Sequence, residues 1–281
     1  MFPTIDTEIF YWKNVKRCLN KEEFSLIPKI IHYCWFGKAP QPSITLKCIE
    51  SWKKFCPDYE IRLWNEDNFD VNCCEYTRQA YEEKKWAFVS DVARFKILNE
   101  FGGLYFDTDV ELLKSVDSFL NHEGFMGFEE NSFEIKNSEQ QPRWMLNPGL
   151  VMGCEKGNAV VKELLDEYNG RSFYNEDASL NIKTICFYTS QYFYAHGMKS
   201  ENSHQDVLGM HLYPKDFFNP MDKKTGKIEI SENTCSIHHY AASWTTQTEK
   251  RNVKLFHILN SLLGKNLTGF IRSIYRKCKG K

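Results

Sequence analysis

Apolar and polar positions change period along this chain, and the changes mark its elements. Ser43 to Phe55 carries Ile44, Cys48, Ile49 and Trp52 at helical spacing. Trp86 to Phe101 carries Phe88, Val92, Phe95 and Leu98 as one stripe, backed by Ala93 and Ile97. Short β-branched and aromatic runs stand before, between and after them. Lys29 to Phe36, ended by Gly37 and two prolines, predicts a buried first strand and a loop. Tyr59 to Trp64 predicts a second strand. Gly102-Gly103 predicts a helix stop, after which a third strand runs into Asp107 and Asp109. Leu150-Val151-Met152, Met210 to Tyr213 and Ser236 to Tyr240 read as further strands. Asn158 to Tyr168 reads as a helix with an asparagine cap, Asn181 to Tyr194 as another, and residues 8–20 as a short amphipathic one. The polar run 129–142 reads as a long loop of the kind that carries function. The order β-α-β-(α)-α-β predicts an α/β fold with a mainly parallel sheet.

Composition adds bounds. With 281 residues, 42% hydrophobic and 26% charged, the chain is globular and forms one large domain or at most two. Aromatics at 15% suffice both to fill a core and to line a site that stacks on rings. No apolar stretch approaches the ~18–20 residues of a membrane span. The first residues lack the basic and apolar order of a signal peptide. Ten cysteines have no Cys-x-x-Cys spacing, and Cys73-Cys74 is a vicinal pair; they read as reduced structural thiols, which fits a reducing cytoplasm.

Charge is unevenly spread. From Lys250 onward there are nine basic residues and no acidic one, so the net charge of -1 becomes -10 for residues 1–249 once nine positive charges are removed. Leu255, Ile258, Leu259, Leu262, Phe270, Ile271 and Ile274 interleave with those cations, and Gly264 and Gly269 divide the tail into two short helices. Such a tail is expected to rest on an anionic membrane surface, the alternative being a terminal helix docked on the core.

Four groups of side chains suggest chemistry. Asp107 and Asp109, two apart on a strand, would point the same way, and two hard carboxylates suit a Mg²⁺ or Mn²⁺ ion that also takes phosphate oxygens. They fall where open α/β sheets place ligands, at the carboxyl end of a strand. Asp91 and Arg94, at i and i+3, share a helix face away from the apolar stripe; they form either a surface salt bridge or a charged pair aimed at sugar hydroxyls. Trp35 at the rim of the first strand either packs in the core or stacks on a nucleobase. His238 and His239 point to opposite faces of a strand, so at most one is a metal ligand.

These pieces occur in a recognisable order. Ile27-Pro28-Lys29-Ile30-Ile31-His32-Tyr33-Cys34-Trp35-Phe36-Gly37, Ser51-Trp52, Tyr59 to Trp64, Ser90-Asp91-Val92-Ala93-Arg94, Tyr105-Phe106-Asp107-Thr108-Asp109 and Ile237 to Trp244 together resemble the DXD-motif glycosyltransferases of family 32. More distantly the chain is similar to the glucosylating domains of large clostridial toxins. The resemblance implies a GT-A fold, a Rossmann-like mixed sheet flanked by helices, over residues 1–245, with 246–281 as a basic helical tail. It implies a nucleotide-sugar donor, a divalent metal and retention of anomeric configuration. By position, Trp35 would stack on the base, Asp91 and Arg94 would hold sugar hydroxyls, and Asn147 would stand beside the transferred sugar. Asp107 would contact ribose or a metal-bound water, Asp109 and His238 would ligate the metal, and Ser243 and Trp244 would contact the diphosphate. The toxin domains carry a carboxylate near the histidines' position, which leaves the third ligand open between His238, His239 and another group.

The expected activity is transfer of a hexose, from a UDP-sugar in preference to GDP-mannose, to a glycan or lipid-linked acceptor of surface polysaccharide synthesis. The expected place is the cytoplasm, peripheral to the inner membrane face, with no nucleic-acid partner. A front-face reaction through an oxocarbenium-like ion pair needs no protein nucleophile, and none is assigned. The alternatives are a protein-modifying glycosyltransferase of effector type and a nucleotide-sugar-binding protein without turnover.

Overall fold

The alternation within each strand sorts the apolar residues into two cores, one on each side of a sheet. A computed structural model describes residues 26–130, 143–222 and 226–241. The expected helix at 8–20, most of the polar loop, Ser243, Trp244 and the basic tail lie outside the described residues. The first half runs β1 (Ile30–Cys34), α1 (Ser43–Phe55), β2 (Glu60–Trp64), α2 (Glu75–Glu82), α3 (Trp86–Phe101), β3 (Gly103–Tyr105) and β4 (Val110–Leu112). The second half runs β5 (Gly124–Glu130), β6 (Trp144–Leu146), β7 (Met152–Cys154), α4 (Ala159–Asn169), α5 (Ile185–Ala195), β8 (Gln205–Val207), β9 (Met210–Tyr213), α6 (Lys215–Phe218) and β10 (Ser236–His238).

Strands pair in the order β2-β1-β3-β7-β5-β9-β8, with β6 added on β5, to make an eight-stranded sheet. On β1 and β3, Ile31, Tyr33 and Leu104 face a core closed by Cys48, Ile49 and Trp52 of α1. Cys34 and Tyr105 face the opposite core, built from α2, α3, α4 and α5. Phe125 against Met126 and Phe128 shows the same alternation on β5. No helix among the described residues is long and apolar enough to cross a membrane.

The sheet is mixed, and this corrects the mainly parallel expectation. β1 runs parallel to β2 and β3, and β5 parallel to β9. β7 is antiparallel to both β3 and β5, and β6 and β8 are antiparallel to β5 and β9. The parallel half follows from β-α-β order. The antiparallel half arises from short returns that periodicity does not signal. The β8–β9 return is a two-residue turn in which Leu208 (φ 56°) and Gly209 (φ 78°) are both left-handed, the conformation that matches strand twist in tight hairpins. The broader expectation, a mixed α/β sheet flanked by helices, is what the chain forms.

The acidic strand is also corrected. β3 ends at Tyr105, and Asp107 to Asp109 form a turn closed by Val110 N–H donating to Asp107 O at 3.1 Å. After it β4 leaves the main sheet and pairs antiparallel with β10, His238 opposite Val110 and Ser236 opposite Leu112. Trp52 of α1 supports this small sheet, its indole N–H donating to Val110 O at 2.7 Å. Gly102 (φ 65°) and Gly103 (φ 97°) turn the chain from α3 into β3, and a Cβ on Gly103 would lie 2.7 Å from Ile30 O. Asn158 caps α4 as expected, its side chain accepting from Val161 N–H. Leu150 and Val151 precede β7 rather than opening it, α5 starts at Ile185 rather than Asn181, and Glu129 and Glu130 belong to β5 rather than to a loop.

Candidate active site

Helix α3 is buried on nearly every side, and this decides what Asp91 and Arg94 are. The expectation of a face turned away from the apolar stripe is corrected: Asp91 and Arg94 are 6% and 3% exposed, while Phe88 is the half-buried member. Arg94 Nη2 lies 3.1 Å from Asp91 Oδ1, and its Nη1 lies 3.3 Å from Asp107 Oδ1 in the acidic turn. The guanidinium is stacked over the Tyr105 ring, 4.5 Å from its centre, and its Nε–H donates to Ser90 O. Arg94 Nη1 is buried without an aligned hydrogen-bond acceptor, so it joins Asp107 through charge while keeping a donor to offer. A buried ion pair is costly to form and more costly to break, which makes Arg94 the rigid centre of this region.

The environment shifts both partners. Burial pushes the Asp91 carboxyl up to about 7; Arg94 opposes this, Asp107 adds to it, and the N–H of Ile185 at the start of α5 opposes it as well. Burial pulls Arg94 down, but Asp107, Tyr105 and Asp91 outweigh that and leave it firmly charged.

Asp109 and His238 form the second half of the site. The β4–β10 pairing brings His238 Nε2 to 3.0 Å from Asp109 Oδ1, and both residues are buried. His239 points the other way, to Glu111 Oε2 at 2.8 Å, where Lys47 also pairs with Glu111. The strand alternation thus separates the two histidines and places His238 on the acidic turn. Burial lowers the His238 pKa, but the charge and hydrogen bond of Asp109, then Asp107 and Glu129, outweigh it and raise it overall.

A divalent ion has partial support in this arrangement. Among the described residues no three His, Cys, Asp or Glu groups converge into a cage. Yet the 3.0 Å between Asp109 Oδ1 and His238 Nε2 equals the separation of neighbouring ligands around an ion with bonds of about 2.1 Å. A carboxylate and an imidazole, completed by phosphate and water, suit Mg²⁺ or Mn²⁺. His238 Nδ1 is buried without a hydrogen-bond partner. Asp107 is turned towards Arg94, so the structure does not bring Asp107, Asp109 and His238 together as one set of three.

Asn147 connects the acidic turn to the far side of the sheet. Its Oδ1 accepts from Gly149 N–H at 2.7 Å, and Gly149 O accepts from Asp107 N–H at 3.0 Å. Its Nδ2 donates to Glu129 Oε2 at 2.8 Å. Trp35 is half-buried and belongs to neither core cluster; its indole N–H donates to Ala39 O at 2.6 Å. Sequence reading missed Glu129 and Tyr240 as members of the region. The usable signal was the alternation of Phe125-Met126-Gly127-Phe128, which continues into Glu129 as a strand position facing a core.

Comparison with known proteins agrees with these residues. Residues 42–126, which contain Asp91, Arg94, Asp107 and Asp109, match the family described as glycosyltransferase sugar-binding region containing DXD motif. An uncharacterized glycosyltransferase, L373, of Acanthamoeba polyphaga mimivirus is 32% identical over 118 residues, 40% of this chain and 45% of that protein. Inositol phosphoceramide mannosyltransferase 3 of Schizosaccharomyces pombe is 29% identical over 107 residues, 34% of this chain and 28% of that protein. The chain therefore covers less than half the length of either relative. A solved structure described as PaToxG Glycosyltransferase is similar at a TM-score of 0.42, with 18% identity over 68% of this chain and 80% of that one. Residues 42–126 thus match a glycosyltransferase sugar-binding region of the DXD type, and Arg94 is the buried centre of the matched segment.

Proposed function

We propose that this protein is a retaining glycosyltransferase that takes a hexose from a nucleoside-diphosphate sugar. The observation that carries the reading is the buried Arg94, which joins the Asp91 carboxyl on one side to the acidic turn on the other. Asp91 and Arg94 together set acceptors and donors side by side in one buried pair, the chemistry needed to fix sugar hydroxyls. Burial raises the Asp91 carboxyl while Arg94 opposes the rise, and the pair at 3.1 Å sets an acceptor beside a donor. Trp35 takes the base by stacking, and Asn147 stands beside the transferred sugar.

A divalent ion held by Asp109 and His238, with Asp107 beside it, would stabilise the charge that develops on the leaving diphosphate. The donor is a UDP-hexose in preference to GDP-mannose. The acceptor is a glycan or lipid-linked saccharide, a reading supported by the relative named for mannosylation of inositol phosphoceramide. The basic run from Lys250 onward supports a peripheral position on an anionic cytoplasmic membrane face.

The test is release of UDP or GDP from a panel of nucleotide sugars in the presence of Mn²⁺. The parent protein is expected to release nucleotide from one donor, and that donor to raise its melting temperature by mass action. Asp109→Ala is expected to lower release by about 100-fold or more, the scale of losing a charge-stabilising group at the reacting centre. Release by Asp109→Ala at the parent rate would overturn the assignment.

A further inference from the structure

Glu129 is a buried carboxylate that the chemistry above does not use. It is 4% exposed at the end of β5. Two donors from different parts of the chain meet on its Oε2: Asn147 Nδ2 at 2.8 Å and the Tyr240 hydroxyl at 3.1 Å. Burying a carboxylate costs free energy that an apolar residue would not incur, so packing alone does not account for it.

We propose that Glu129 is a positioning residue of the donor site, fixing the Asn147 amide against the acidic turn and holding Tyr240 beside His238. The proposal rests on the glycosyltransferase reading given above. The two ends of an asparagine amide are nearly the same shape, so neighbours decide which way it faces. An ionised carboxylate only accepts, so Asn147 must turn Nδ2 towards Glu129 and Oδ1 towards Gly149 N–H. Gly149 O then holds Asp107 N–H, and an unbroken run of hydrogen bonds joins Glu129 to the acidic turn. On the other side, Tyr240 has φ 48°, a left-handed backbone that an aromatic residue adopts only when its surroundings hold it. Three contacts do so: its ring lies edge-on to His238 at 4.2 Å, its hydroxyl donates to Glu129, and Asn219 Nδ2 donates to that hydroxyl. Glu129 therefore bears on the Asp107 end of the acidic turn through Asn147 and on His238 through Tyr240.

The experiment compares Glu129→Leu, Glu129→Gln and Asn147→Ala with the parent, by side-chain amide exchange in NMR and by donor turnover. The Asn147 amide protons, assigned by their loss in Asn147→Asp, are expected to be protected in the parent and to exchange rapidly in Glu129→Leu. In Glu129→Leu, kcat is expected to fall about 10- to 100-fold, the range for losing hydrogen bonds to a charged group, with the donor KM within about threefold. Glu129→Gln keeps one oxygen that both donors can reach, so it is expected to restore most of the loss and to report on the site even where the leucine variant folds poorly. Glu129→Leu combined with Asn147→Ala is expected to be no slower than Asn147→Ala alone, because one interaction cannot be lost twice. Undiminished amide protection in Glu129→Leu, or parent-like kcat in it, overturns the proposal. A parent that releases no nucleotide from any UDP- or GDP-sugar, with the amide result as expected, overturns the glycosyltransferase reading and with it the donor-site role of Glu129.

Discussion

A methyl group added at Gly149 would overlap Asp107 Oδ2 and come within 3.0 Å of Asn147 Oδ1. The nearest obstacle is the end of a movable side chain, so the collision is relieved by swinging the carboxylate away from Arg94 rather than by unfolding the turn. Gly149→Ala is therefore expected to change the melting temperature by only a few degrees while lowering donor turnover by about tenfold or more, a difference that calorimetry and a nucleotide-release assay read separately. His32 makes the opposite kind of prediction, in stability rather than activity. Its Nε2–H donates to Gly102 O at 2.9 Å and its Nδ1 accepts from Trp64 Nε1–H at 3.1 Å, so both nitrogens are committed to the neutral ring. Burial lowers its pKa to about 4, with the Gly102 carbonyl opposing. A depressed histidine leaves stability complete above the unfolded value of 6.5 and loses it as pH falls from there towards 4. The loss over that window amounts to about 3 kcal/mol, and denaturant titrations from pH 7 to 4 should show it in the parent and not in His32→Gln. Neither effect was readable from sequence, where His32 was one residue of a strand and nothing singled out Gly149.

Helices were the most legible elements, because a 3.6-residue period persists over enough turns to be seen. α1 has the bounds expected, and α3 is bounded by Trp86 and Phe101 as expected. What the period could not show is burial on a second side. α3 lies between the sheet and α2, α4 and α5, so polar residues that look like a solvent face are enclosed. Short strands were the least legible. β3, β4, β6 and β7 have three residues each, too few for alternation to establish a direction or an end. The cap of α4 is a case where local chemistry sufficed: Asn158 Oδ1 accepts from Val161 N–H at 3.2 Å. Asn158→Ala is expected to destabilise the fold by about 1 kcal/mol, read as a lower urea midpoint at unchanged slope, with donor turnover unaffected because α4 supplies no group to the site.

At the scale of the whole molecule, the acidic body and basic tail predict salt-sensitive attachment to membranes. The protein is expected to sediment with vesicles containing anionic lipid at low salt and to be released by about 0.5 M salt, where charges are screened within a few ångströms. Reversing Arg272, Arg276 and Lys277 to Glu should abolish sedimentation and leave nucleotide release unchanged; sedimentation equal to the parent would sink the membrane assignment. By itself the sequence determined the α/β class, the long helices, the capped turn into α4 and the residue types available for chemistry, since these follow from local spacing and propensity. It also supplied the ordered set of motifs that resembles a sugar-binding region. Only the tertiary structure decided which of those residues meet. Asp109 meets His238 because β4 leaves the sheet to pair with a strand more than a hundred residues away. Arg94 reaches Asp107 because Gly102 and Gly103 turn α3 directly into β3. Glu129 joins the site because β5, the Asn147 turn and Tyr240 converge on one carboxylate oxygen. Such meetings depend on strand pairing across long stretches of chain, and pairing is a property of the assembled sheet, not of any local run of residues.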